Sequence, residues 1–268
     1  SHSLASLKSA KEFKNQVKEH AAAIKKHFKK KKKTFRNTEL IYSDTIGEAV
    51  AEMGYTTMLT EGAKHILGWK SPNFLYTNAI NPKLKLLLKN FNLSDDIAFR
   101  FAGNNMNSDQ YASWLAESAA NDDIINLFMD YETFGEHQKA STGIFEFMRA
   151  LPDAVLANTQ LKFVTPSEAA AKHQPVAPLH VPYAISWQMR REIQVHGWVM
   201  SFRMRHLRNC IHWRKVYWQL KTRSCLQTSE NCRRVTISTI CVQNSSRMEQ
   251  FTNTSIHMIP HMRRSSTI

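Results

Sequence analysis

Thr34-Phe35-Arg36-Asn37-Thr38-Glu39-Leu40-Ile41-Tyr42-Ser43-Asp44 leads through a further nine residues into Gly54, and then into Tyr55-Thr56-Thr57-Met58-Leu59-Thr60. Residues 35–42 read as a strand, 44–53 as a helix with Asp44 as its N-cap, and 55–60 as a β-branched strand. A strand, a helix and a second strand on short links imply two parallel strands joined by a right-handed crossover. This unit sets the expectation for the rest of the chain.

Downstream the alternation continues. The spacing predicts a strand over 74–79, a helix over 82–90 with Pro82 in its first turn, a strand over 97–102 and a helix over 108–118. A strand over 124–130, a helix over 142–156, a strand over 161–164 and a short helix over 166–172 after Thr165 complete the series. Upstream, Leu4, Leu7, Phe13, Val17, Ile24 and Phe28 recur at helical spacing and end in the basic run from Lys29 to Lys33. Lysines there complement the helix dipole and stay solvated. The fold class that follows is α/β with parallel strands, in either a barrel or an open sheet.

Composition divides the chain near Trp187. The chain has 268 residues, is 43% hydrophobic and carries a formal net charge of +14, but that charge is unevenly placed. Residues 1–187 have a net charge of +3 and use 19 Lys against 3 Arg; residues 188–268 have +11 and use 2 Lys against 12 Arg. Asp is absent after Asp153, and Cys210, Cys225, Cys232 and Cys241 all lie in the second part. No Cys-x-x-Cys pair occurs, and His206 and His212 complete no zinc finger, so no metal site is expected there. Two regions follow: 1–187, a catalytic β/α domain, and 188–268, a basic tail with no sustained period of 2 or 3.6. No apolar run approaches the ~20 residues that span a bilayer, so a membrane protein is not expected.

Strand ends converge on one face of a parallel β/α fold, and that face is where such enzymes carry their chemistry. Glu39 and Asp130 both sit where an apolar strand gives way to polar chain, so they could meet across a pocket. Two facing carboxylates suit glycoside hydrolysis, one as nucleophile or base and the other, protonated, as acid. The pattern equally allows two ordinary strand-end acids that cap helices or pair with Arg36 and Arg100. Trp69, Tyr76 and Trp114 could stack on sugar rings or pack in the core.

Phe35-Arg36-Asn37-Thr38-Glu39-Leu40-Ile41-Tyr42-Ser43-Asp44 and Phe128-Met129-Asp130-Tyr131-Glu132-Thr133-Phe134-Gly135-Glu136-His137 resemble the two catalytic motifs of the α-amylase-like members of glycoside hydrolase family 57. Glu61-Gly62-Ala63, Gly68-Trp69-Lys70-Ser71-Pro72-Asn73 and Gly143-Ile144-Phe145-Glu146-Phe147 match as well, and the likeness covers residues 2–187. The resemblance implies an incomplete, seven-stranded parallel β/α barrel acting on α-1,4-glucans with retention and without a cofactor or metal. Position by position, it implies Glu39 as nucleophile and Asp130 as general acid/base. Trp69, Glu132 and His137 are then candidate substrate-binding residues, with Glu136 beside them. A 4-α-glucanotransferase would use the same site, and a cytoplasmic location is expected.

Two departures from the family pattern carry expectations of their own. Relatives begin with barrel strands bearing a His-Gln-Pro motif, whereas this chain opens inside a later helix, and His173-Gln174-Pro175 lies too far downstream to replace it. After Ala184-Ile185-Ser186-Trp187 relatives tend to continue Ala-Asp-Glu, where this chain has Gln188-Met189-Arg190. If Gln188 to Glu192 are encoded CAG ATG AGA AGA GAG, one G restored after the Trp187 codon turns them into Ala-Asp-Glu-Lys-Arg. Residues 188–268 are therefore expected to be an out-of-frame translation, poorly structured, and the truncated barrel is expected to be poorly soluble with little or no amylase activity. A metal-dependent sugar deacetylase would need a His/Asp triad that His137 alone does not supply. Polyanion or nucleic-acid binding through Trp213, Tyr217 and Trp218 among the arginines is the reading from a different class.

Overall fold

The computed structural model describes residues 3–30, 33–187 and 237–244, the last as backbone alone. It begins with a single 3-10 turn and the helix α1 (Ala10–Phe28). Ser9 caps α1 by accepting from Glu12 N at 3.3 Å. The buried face of this helix, Phe13 and Val17, reaches Phe35, which in turn packs edge-on against Tyr55.

Five strands form the main sheet: β1 (Thr34–Arg36), β2 (Thr57–Thr60), β3 (Leu75–Asn78), β4 (Lys85–Leu88) and β7 (Ala177–Leu179). Their order is β1-β2-β4-β3-β7. The pairs β1–β2, β2–β4 and β3–β7 are parallel, and β3–β4 is antiparallel. A second sheet holds β5 (Ile124–Asp130), β6 (Leu161–Val164) and β8 (Ile237–Asn244), with β8 in the middle and antiparallel to both neighbours. Asn126 links the sheets: its Nδ2 donates to Leu88 O at 3.0 Å, and its carbonyl accepts from Asn90 N at 2.9 Å. The architecture is thus mixed α/β with a mostly parallel sheet, curled as a partial β/α barrel and not closed.

The inner face of the curl is apolar. Leu40, Leu59, Leu75, Leu87, Ile124 and Phe128 pack together, each below 5% exposure. Strand alternation puts Met58, Leu86 and Leu88 on the other face, where they pack with α1 and with α2 (Asp44–Glu52). The helices α4 (Phe91–Ala98), α5 (Phe101–Asn104), α6 (Ser108–Ala119) and α7 (Ile144–Asn158) bury a third cluster against β5. The remaining helices are the short α3 (Lys64–Leu67) and α8 (Pro166–Lys172), the latter with a full Thr165/Glu168 capping box.

Four expectations are corrected. Residues 82–90, expected as a helix, contain β4, because Leu84, Leu86, Leu87 and Leu88 are each fully buried, as a strand covered on both faces requires. Pro82 belongs to the turn before it, where Asn78 Oδ1 accepts from Ile80 N and Asn81 N and folds β3 back onto β4. That hairpin makes the sheet mixed instead of wholly parallel. Residues 97–102, expected as a strand, lie in α4, in α5 and in the short link between them; Asn90 caps α4 through Leu93 N, and Leu93 and Ile97 of α4 join Phe101 of α5 in one buried cluster. The N-cap of α2 is Ser43, which accepts from Ile46 N, and Asp44 turns to other partners.

Beyond Trp187 the sequence reading assigns no element, yet β8 is one. The rest of 188–268, including Cys210, Cys225, Cys232, His206, His212, Trp213, Tyr217 and Trp218, lies outside the described residues. Among the described residues no helix is long and apolar enough to cross a membrane.

Candidate active site

Strand ends of the two sheets supply four polar side chains. Glu39 follows β1, Glu61 follows β2, Lys89 follows β4 and Asp130 ends β5. Glu61 is 1% exposed and Lys89 5%, an uncommon burial for either type. Glu61, Lys89 and Asp130 line an open cleft with Phe99, Phe128 and Trp187, and Glu39 is not among its lining residues. Lys89 is paired with Asp95, Nζ to Oδ1 at 3.0 Å.

Glu39 stands on an unusual backbone. It lies in a 3-10 turn, Thr38–Leu40, at φ 52° and ψ 22°, and Leu40 follows at φ 51°. Two consecutive left-handed residues with Cβ atoms cost roughly 1–3 kcal/mol each unless the surroundings impose them. Three restraints do so. Asn37 accepts from Thr38 N and donates through Nδ2 to Ile41 O and Ser6 Oγ. Leu40 is wholly buried in the inner core. Ser186 Oγ donates to Glu39 O at 2.9 Å, and the Trp187 indole N–H donates to Glu39 Oε2 at 2.7 Å.

Asp130 is half-buried, and burial is the main cause that lifts its pKa above the ordinary carboxylate range. The charges of Glu132 and Glu39 add to the lift, while Arg36 and His137 oppose it. Arg36, pushed down to about 10 by burial, feels Asp130 and then Glu39 as its compensating charges. Glu39, Arg36 and Asp130 are therefore one electrostatic cluster, two carboxylates around a guanidinium. Its chemistry allows one carboxylate to be held ionised by donors while the other is biased toward its protonated form.

The remaining sequence candidates divide. Glu132, in the turn after β5, raises Asp130, and His137 lies 3.9 Å from Glu132 Oε1 and lowers it, so both belong to the neighbourhood of Asp130. Trp69 is 92% exposed beyond α3 and does not line the cleft with Asp130. Tyr76 is buried, its hydroxyl donating to Ser71 O at 2.6 Å, and Trp114 packs against the α4–α7 core. Arg100 pairs with Asp96 at 2.7 Å, not with either strand-end acid. Lys89, Asp95 and Trp187 were not singled out from sequence as site residues. The readable signal for Lys89 is a lysine closing an otherwise unbroken leucine run, which marks a strand's end. For Trp187 no local pattern exists, because its partner is 148 residues away.

The family model described as Glycosyl hydrolase family 57 matches residues 1–182. A protein of Methanocaldococcus jannaschii described as "Putative alpha-amylase" is 41% identical over 206 residues, covering 74% of this chain and 43% of that protein. The chain thus spans less than half the length of this relative. No solved structure matches.

Proposed function

Since the chain belongs to glycosyl hydrolase family 57, we propose that Glu39 and Asp130 are the nucleophile and the general acid/base of a retaining hydrolase of α-1,4-glucans. The observation that carries this reading is the electrostatic cluster of Arg36, Glu39 and Asp130 at the strand tips. In the first step a Glu39 oxygen bonds to the anomeric carbon, the glycosidic C–O bond breaks and the leaving oxygen takes the proton of Asp130. In the second step water attacks the same carbon from the opposite side and gives a proton to Asp130, and the bond to Glu39 breaks. Burial of Asp130 favours the protonated form that the first step needs, and the donor on Glu39 favours the ionised form. Glu132 tunes Asp130, His137 hydrogen-bonds a sugar hydroxyl beside it, and Trp69 offers a stacking face outside the cleft.

Sustained turnover by this polypeptide is expected to be slight, so the test reads a single turnover. Incubation with 5-fluoro-α-maltosyl fluoride and peptide mass mapping should find one maltosyl group on Glu39, and none in Glu39→Gln. A label elsewhere, or none on protein whose circular dichroism shows a folded α/β chain, overturns the assignment. A sugar acceptor that captures the glycosyl group faster than water would make the same site a 4-α-glucanotransferase.

A further inference from the structure

The segment from Val181 to Trp187 is bound at four points along the turn that carries Glu39. Val181 N and His180 Nδ1 both reach Asp44 Oδ2, at 3.0 and 2.8 Å. Ile185 and Tyr42 exchange both main-chain hydrogen bonds, 2.8 and 3.0 Å. Ser186 Oγ and Trp187 N converge on the carbonyl of Glu39. The Trp187 indole N–H then takes Glu39 Oε2 at 2.7 Å, while its ring packs against the inner core. Arg36 and Lys89 stand 5.2 and 5.0 Å from the centre of that ring.

We propose that Trp187 is a positioning residue for the nucleophile: with Ser186 it clamps Glu39 in its left-handed backbone and orients its carboxylate toward the anomeric carbon. The proposal rests on the assignment of Glu39 made above. Its physical basis is threefold. A donor on one oxygen orients the carboxylate plane and favours its ionised form. The ring is itself held, by core contacts on one side and by two cations. The carbonyl contacts restrain the φ value that an unrestrained glutamate would abandon. Arg36 and Asp130 interact electrostatically with this carboxylate, and Arg36 and Lys89 both lie over the indole.

The test compares rates of Glu39 labelling by 5-fluoro-α-maltosyl fluoride in the full chain. In that step the C1–F bond breaks, fluoride departs and the C1–O bond to Glu39 forms, so no proton donor is needed and Asp130 drops out of the comparison. Trp187→Phe keeps a ring in the core and removes the donor; labelling is expected to slow roughly 10- to 100-fold. The acidic limb of its pH profile should move toward neutral pH, because the ionised carboxylate has lost a donor. A merely structural tryptophan would not shift that limb. Should Trp187→Phe fail to fold, benzothienylalanine at position 187, which replaces the indole N–H by sulfur at nearly equal volume, gives the same comparison. Wild-type labelling with an unchanged rate and limb in a folded variant overturns the proposal. Absence of wild-type labelling in folded protein overturns the nucleophile assignment instead, so the two failures are distinguishable.

Discussion

The tip of β1 and the tip of β5 each present one carboxylate, and the molecule treats them in opposite ways. Glu39 is buried on a left-handed turn and held by donors from a segment 148 residues away. Asp130 ends a regular seven-residue strand with ordinary extended backbone, and its neighbours Glu132 and Glu39 are of its own sign. Glu39 receives an indole N–H on one carboxylate oxygen, whereas burial and the like charges of Glu132 and Glu39 raise the pKa of Asp130. The lesson is that a division of labour between two similar acids needs no difference in residue type, only a difference in what the fold places beside each.

Substitutions can break this contrast. Glu39→Gln removes the charged member and should reduce both labelling and glucan cleavage by about 10^3-fold or more, measured as released fluoride and reducing sugar. Asp130→Asn should separate two substrates. Cleavage of maltooligosaccharides, whose leaving oxygen needs a proton, should fall by roughly 10^2- to 10^4-fold. Glycosylation by α-maltosyl fluoride should stay within about tenfold of the wild type, since fluoride departs unaided. Equal losses on both substrates would contradict the acid role.

Gly62 sharpens the comparison at the level of the scaffold. A Cβ there would strike the carbonyl of Lys89 and come within 3.0 Å of Pro72 Cβ, and a strand carbonyl cannot swing aside as a side chain can. Gly62→Ala should cost about 1–3 kcal/mol in denaturant unfolding and disturb Glu61 and Lys89 together. The smallest effect is expected at Glu132→Gln. Removing a like charge lowers the pKa of Asp130, so the alkaline limb of glucan cleavage moves to lower pH. The raised pKa of Asp130 disfavours folding of its ionised form, a cost that grows as pH rises from the unfolded pKa through the folded one. The variant should therefore gain stability at neutral pH, by less than about 0.5 kcal/mol given that Asp130 is half exposed.

Legibility of the fold in the sequence followed the length of each pattern. The elements α1, α2, α6, α7 and α8, and the strands β2, β3, β5 and β6, were readable because local period and burial agree in each. Residues 82–90 were not, since a run of leucines fits a buried helix as well as a buried strand, and a turn-making Asn78 decided between them through side-chain hydrogen bonds. The error at 97–102 has the same root: Ile97-Ala98-Phe99 looks like a strand until Asn90 is known to cap a helix that already contains Ile97 and Ala98. Of the candidate site, Asp130 and its neighbours Glu132 and His137 are close in sequence and their grouping could be anticipated. Glu61 was visible within a matching segment but not as a cleft residue, and Lys89 and Trp187 came into view as site residues through long-range contact.

What the amino-acid sequence determined by itself is the alternation of elements outside residues 82–102, the positions of two acids after apolar strand segments, and a change of composition after Trp187. Each of these is a property of neighbouring residues, read from periods, caps and charge. The tertiary structure alone decided the hairpin that interrupts the parallel order, the lodging of β8 between β5 and β6, and the gathering of Arg36, Glu39, Asp130 and Trp187 into one cluster. Desolvation and hydrogen bonding between residues far apart in the chain govern those outcomes, and neither quantity exists until the strands have met.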